Sequence, residues 1–176
     1  MNYHFDKVIG FNETGFAGKA DATYRRQAWR FMLAGGALFN HLDYSFSVGN
    51  ENGQDTAYSA PGGGSPALRQ QLGVLKNFMH SLDLTSMAPD ATWIKSARGA
   101  FVQALSNRCD QYALYAEGIS SFRLVLNIPK GNYLAEWTHP SDGRKTKEQF
   151  THAEGEKILA SPLGTGEATL KLTRKK

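Results

Sequence analysis

The chain has 176 residues, 41% apolar, 11% aromatic and 20% charged, a composition that excludes wholesale disorder and supplies enough apolar side chains for a sizeable core. No run approaches the roughly 18 to 20 consecutive apolar residues of a membrane helix, Met1-Asn2-Tyr3-His4 lacks the basic start and apolar core of a signal peptide, and the single Cys109 excludes an internal disulfide and a cysteine-based zinc site. The net charge of +4 comes from the second half, since residues 1–83 hold seven Lys/Arg against seven Asp/Glu and residues 84–176 hold thirteen against nine.

The two halves follow different periods, with a boundary near residue 84. Val8-Ile9-Gly10-Phe11 is a short apolar run suited to a buried parallel strand, followed by a polar loop from Asn12 to Ala20. Asp21 is a plausible N-cap for a helix from Ala22 to Leu33, with Tyr24, Ala28, Phe31 and Met32 on one face and Gly35-Gly36 as its stop. Ala37-Leu38-Phe39 reads as the next buried strand, and its end delivers Asn40, His41, Asp43 and Tyr44 into a long loop that closes on a flexible Pro61-Gly62-Gly63-Gly64-Ser65 segment. Ser65-Pro66 has N-cap and first-turn chemistry. Leu68, Leu72, Leu75, Met79 and Leu82 then repeat at spacings of four and three, the apolar stripe of a helix.

From residue 84 onward period-2 patterns predict eight strands, near residues 92–97, 100–106, 111–116, 122–128, 133–138, 145–151, 157–160 and 168–172. Phe122, Leu124, Leu126 and Ile128 alternate with polar or smaller residues, and Pro140-Ser141-Asp142-Gly143 is a turn by its chemistry. Tyr112, Tyr115, Tyr133 and Trp137 suit either a core or, less readily, a ligand platform. Lys171, Arg174, Lys175 and Lys176 read as a solvated tail, and the charge does not argue for nucleic acid.

The fold class expected is therefore α/β plus all-β: two βα units over residues 1–83, too few to cover a sheet or close a barrel, and a small antiparallel β-sandwich over residues 84–176. Glu13 carries the most chemical information, because it follows Asn12 at the C-terminal end of a parallel strand, the edge where βα proteins place catalytic groups. A carboxylate there is either a nucleophile or base, or an ordinary loop residue. Asn40, His41, Asp43, Tyr44 and Phe46 would emerge on the same rim and offer the hydrogen bonds and aromatic faces that suit a sugar. Arg25 or Arg26 could hold Glu13 ionised. Asn50 to Asp55 lacks the ligands of a calcium loop, and no phosphate loop, serine elbow or HExxH is present. The sequence asks for no cofactor or metal.

Val8 to Gly15, Tyr24 to Trp29, Leu33 to Asn40 and Leu42 to Gly49 together resemble the last two βα units of cellulase-like TIM-barrel glycoside hydrolases, which are retaining enzymes. Gly131 to Pro140 with Asp142-Gly143, and Ser161-Pro162 with Ala168 to Leu172, resemble the small trailing β domain of such proteins that is named for collagen binding. The resemblance implies the C-terminal part of an incomplete (β/α)8 barrel followed by that domain. It gives Glu13 the role of nucleophile, with Asn12, Asn40, Asp43, Tyr44 and Phe46 as substrate-binding candidates and a polysaccharide or oligosaccharide as substrate. The acid/base of the family stands on a fourth strand that this chain lacks, so the chain by itself is expected to be inactive, with exposed helix faces and barrel edges that another chain would cover. Export to the periplasm or medium is the family's usual lot. A non-catalytic carbohydrate- or matrix-binding module is the competing reading, and neither reading calls for nucleic acid or a membrane.

Overall fold

The computed structural model describes residues 7–164 and 166–175, side chains at 119 and 120 apart. The readings on Met1 to His4 and on Lys176 lie outside the described residues. The elements run β1 (Gly10–Thr14), α1 (Asp21–Leu33), β2 (Leu38–His41), α2 (Pro66–His80), β3 (Ala88–Pro89), β4 (Ile94–Ser106), β5 (Gln111–Leu126), β6 (Gly131–Thr138), β7 (Lys145–His152), β8 (Lys157–Ala160) and β9 (Glu167–Lys175). β1 and β2 form a two-stranded parallel sheet. The other strands form one antiparallel sheet in the order β3-β4-β5-β9-β6-β7, and β8 joins the far half of β5. Among the described residues no helix is long and apolar enough to cross a membrane.

These elements follow from local chemistry. Ser65 caps α2 by accepting from the Leu68 N–H at 2.8 Å, with Pro66 in the first turn. α1 instead starts at Asp21, and Ala20 occupies its cap without a side-chain bond. The β6–β7 turn runs as its residues predict: Asp142 Oδ1 accepts from the Arg144 N–H at 3.0 Å, and Gly143 has a positive φ of 73°.

The expected fold class is overturned. The described residues are mostly β, with two helices and a nearly closed antiparallel sheet, and they form neither a portion of a (β/α)8 barrel nor a two-sheet sandwich. Two physical reasons account for the difference. The strands expected at 92–97 and 100–106 are one strand, β4, bent at bulges beside Ser96 and Gly99; likewise those at 111–116 and 122–128 are one strand, β5. Long bulged strands curl one sheet around its own core, and here Leu114, Leu124, Leu126, Tyr133, Trp137, Leu170 and Leu172 fill it. The helices, in turn, do not expose their apolar faces. Trp29 stacks on Tyr115 of β5, with centroids 5.8 Å apart, and Leu33, Leu75, Phe78 and Met79 pack with Leu105 and Ala113 of the sheet.

Charge fixes the same interface. Glu167 of β9 takes Arg25 Nη2 and Arg26 Nε, both at 2.8 Å, while Glu117 of β5 takes Arg30 at two points of 2.9 Å. The basic C-terminal residues are not a loose tail either. Lys171, Arg174 and Lys175 belong to β9, between β5 and β6.

Candidate functional site

The C-terminal ends of β1 and β2 meet one loop. Thr14 O accepts from the Leu42 N–H at 2.7 Å, and Asn40 Nδ2 donates to Asn12 O at 2.7 Å. The β1–β2 register slips between Phe11 and Thr14, where two residues of β1 oppose one of β2. That bulge brings Thr14 inward, where its hydroxyl lies 2.6 Å from Gln27 Oε1, and leaves both Asn12 and Glu13 exposed. Among the described residues Glu13 makes no side-chain hydrogen bond or ion pair, and neither Arg25 nor Arg26 reaches it, because Glu167 claims both.

The loop after β2 is built around Asp43. Its Oδ1 accepts from the Ser45 hydroxyl at 2.6 Å and the Ser45 N–H at 3.1 Å, and its Oδ2 accepts from Arg69 Nη1 at 2.6 Å. Arg69 also donates to Gly53 O at 2.7 Å and lies over the Phe46 ring, 4.8 Å from its centroid. Burial pushes the Asp43 carboxyl up, but the bonds from Ser45 and Arg69 outweigh it and hold the group below the usual carboxylate range. Phe46 remains half exposed, and Tyr44 stacks on Tyr58 at 6.2 Å.

His41 is part of the framework beneath. Its ring lies 4.3 Å from that of Tyr24, and its Nε2–H donates to Gly63 O at 3.1 Å, which leaves Nδ1 buried without a partner. Burial lowers its pKa against the opposing pull of the Gly63 carbonyl and of Asp43. Tyr24 Oη meanwhile donates to Gly18 O at 2.5 Å and accepts from the Ala17 and Gly63 N–H groups. The glycine run that reads as a flexible loop is therefore buried. Gly62 backs so closely on Gly15 that a Cβ would overlap the Gly15 carbonyl.

The sequence singled out Asn12, Glu13, Asn40, Asp43, Tyr44 and Phe46. The structure joins Asn12 to Asn40 and groups Asp43 with Phe46 through Arg69. Ser45, Tyr58 and Arg69 belong to the same group and are not singled out by the sequence. Arg69 is a lone cation in the turn that follows a long polar loop, and that is the signal the sequence offers for it. Tyr112, Tyr115, Tyr133 and Trp137 are core residues, each at most 2% exposed. Among the described residues no group of three His, Cys, Asp or Glu side chains is placed to hold a metal.

No family model matches the chain, and no curated protein matches it. Solved structures do. One described as a glycoside hydrolase is 18% identical with a TM-score of 0.65, over 88% of this chain and 37% of that one. A glycoside hydrolase family 5 protein from Bacteroides vulgatus ATCC 8482 is 16% identical with a TM-score of 0.66, over 88% and 36%. A GH30 endoxylanase from Clostridium papyrosolvens C71 is 10% identical with a TM-score of 0.57, over 96% and 42%. The chain shares its fold with part of each of these glycoside hydrolases. The chain spans less than half the length of each of these proteins, and at such identities the likeness is one of fold. None of the three descriptions mentions collagen, so that part of the expectation stands without support.

Proposed function

We propose that this chain is the C-terminal segment of a retaining glycoside hydrolase, with Glu13 as its nucleophile and a polysaccharide or oligosaccharide as its substrate. The observation that carries the reading is the state of Glu13: an exposed, unpaired carboxylate at a strand end, beside Asn12 and Asn40, in a fold whose solved neighbours are glycoside hydrolases. An unpaired carboxylate keeps its lone pairs for an anomeric carbon. Asn12 and Asn40 supply hydrogen bonds, and Asp43, Tyr44 and Phe46 supply a polar acceptor and ring faces for neighbouring sugar units.

A retaining reaction needs a second carboxyl about 5 to 5.5 Å from the first, protonated at working pH so that it can donate to the leaving oxygen. The carboxyls of the adjacent loop have the opposite tuning. Asp43 is held ionised by Ser45 and Arg69, Glu51 is lowered by the Gly49 N–H and its own, and Asp55 is lowered by the Ser47 hydroxyl and the Ala57 N–H. The general acid then comes from outside this segment, and the segment alone does not turn over glycosides. We further propose the division of the chain at residue 84, with export of the whole protein as in the resembled family.

The test is made in the longest natural reading frame that contains the segment. Glu13→Gln there is expected to lower kcat by about 10⁴-fold or more with little change in substrate affinity, the behaviour of a lost nucleophile. Retained turnover would remove the assignment.

A further inference from the structure

On the outer face of the curled sheet, where β4, β5 and β8 run side by side, Arg98 of β4 stands directly opposite Arg123 of β5. Both side chains are exposed, and among the described residues neither makes a hydrogen bond or an ion pair. Like charges placed directly across a sheet repel and weaken it. The two guanidiniums are therefore held side by side by the register of the strands, at a cost that no carboxylate among the described residues offsets.

One row further along the strands, Ser96, Val125 and Ile158 form the next outward set, with Ile158 59% exposed. Lys95, displaced by the bulge beside Ser96, pairs with Glu156 at the rim. These residues line a shallow groove of about 380 Å³. It presents a double cation at one end and an apolar floor at the other, separated by two residues along a strand, or roughly 7 Å.

We infer that this groove binds an acidic saccharide, with a uronate carboxylate on the Arg98–Arg123 pair and the C–H face of the sugar ring on Val125 and Ile158. A guanidinium is planar and offers paired N–H donors that match a carboxylate in the same plane, so two of them side by side engage one anionic sugar from both edges. Bound carboxylate also neutralises the cross-strand repulsion. The choice of a saccharide over another anion rests on the proposed function above; the unpaired guanidiniums do not depend on it.

Titration calorimetry of the full 176-residue chain with an oligogalacturonate tests the inference, with a neutral galactan oligomer of equal length and duplex DNA as the comparison ligands. The uronate oligomer is expected to bind in low salt, and the neutral oligomer is expected not to compete. Arg98→Gln and Arg123→Gln are each expected to weaken binding about tenfold, as loss of a charge-assisted bond does, and Lys147→Gln on the far β7 strand to leave it unchanged. Arg123→Lys keeps the charge and loses the planar fork, so it falls between wild type and Arg123→Gln. Melting curves for every variant confirm folding. Equal affinity in wild type and both Gln variants, or tighter binding of duplex DNA through the same two arginines, would overturn the inference. Glu13→Gln leaves uronate binding unaltered. Loss of Arg-dependent binding in a protein whose glycosidase activity still needs Glu13 refutes the groove alone, and the converse refutes the nucleophile alone.

Discussion

Arg69, in the first turn of α2, holds Asp43 at 2.6 Å through Nη1 and covers the Phe46 ring with the same guanidinium. One side chain thus joins Ser45 in holding the loop carboxylate ionised and lies over the exposed aromatic of the same loop. Replacing it by methionine keeps the length and apolar contact while removing the donors. The expected result is a loss of about 1.5 kcal/mol in urea unfolding, the scale of a charge-assisted hydrogen bond, and a rise of the Asp43 pKa toward the ordinary carboxylate range, read by NMR titration. On the proposed function the loop meets sugar units and not the reacting bond, so the same variant in the longer reading frame is expected to raise KM more than it lowers kcat.

Gly62 sits where any Cβ would run into the Gly15 backbone. Backbone cannot yield as a flexible side chain can, so Gly62→Ala has to push the loop away from the end of β1. A destabilisation of about 2 to 3 kcal/mol is expected from overpacking. Faster amide exchange at Leu42 and Gly18, whose N–H groups bond to Thr14 O and Pro61 O, would localise the damage. By contrast, Gly73 has open space around its Cβ position in α2, and Gly73→Ala should stabilise by up to about 1 kcal/mol.

Local periods carry much of this fold in the sequence and almost none of its assembly. The α2 stripe with Ser65-Pro66 and the β6–β7 turn at Pro140 to Gly143 need only neighbouring residues to be recognised. Gly99 reads as a strand break because glycine is turn chemistry, whereas in the structure it is a bulge inside β4 with φ of 84°. The partners of Arg25 and Arg26 lie 142 and 141 positions away at Glu167, beyond any local pattern, which is why assigning them to nearby Glu13 failed. Within the site, Glu13 and Asp43 stand out as carboxylates at strand ends. Arg69 and the buried glycines owe their parts to packing between distant segments.

Trp29 is the keystone of the helix–sheet interface, fully buried between Phe78 and Tyr115. Trp29→Ala should cost about 3 to 5 kcal/mol, the transfer energy of the ring plus the cavity left behind. Its Nε1–H, however, is buried without a partner among the described residues, so the ring matters and the N–H does not. Trp29→Phe is accordingly expected to cost no more than about 1.5 kcal/mol. Equal losses for the two variants in urea unfolding would show that the interface needs the whole indole and that a phenyl ring does not replace it.

Acid should weaken two junctions of the molecule, one between helix and sheet and one beside β3. Burial pushes the Glu167 carboxyl up, but bonds from Arg25 and Arg26 outweigh it and leave its pKa below the unfolded value. Asp90, beside β3, is drawn down to about 2, as bonds from Thr92, Ser106 and Arg108 overcome the opposing effect of burial. For a depressed carboxylate the unfolded state binds the proton more readily, so the stabilisation is complete above the unfolded pKa of about 4 and is lost as pH falls through the folded value. Stability should then be flat from neutral pH to about 5 and fall steadily below that, with part of the fall persisting to about pH 2. Asp90→Asn removes the part of that slope that persists to about pH 2, and Glu167→Gln removes the share contributed by the helix–sheet junction. Urea midpoints measured from pH 2 to 7 on the two variants separate the contributions, and a slope unchanged in both would assign the acid sensitivity to other carboxylates.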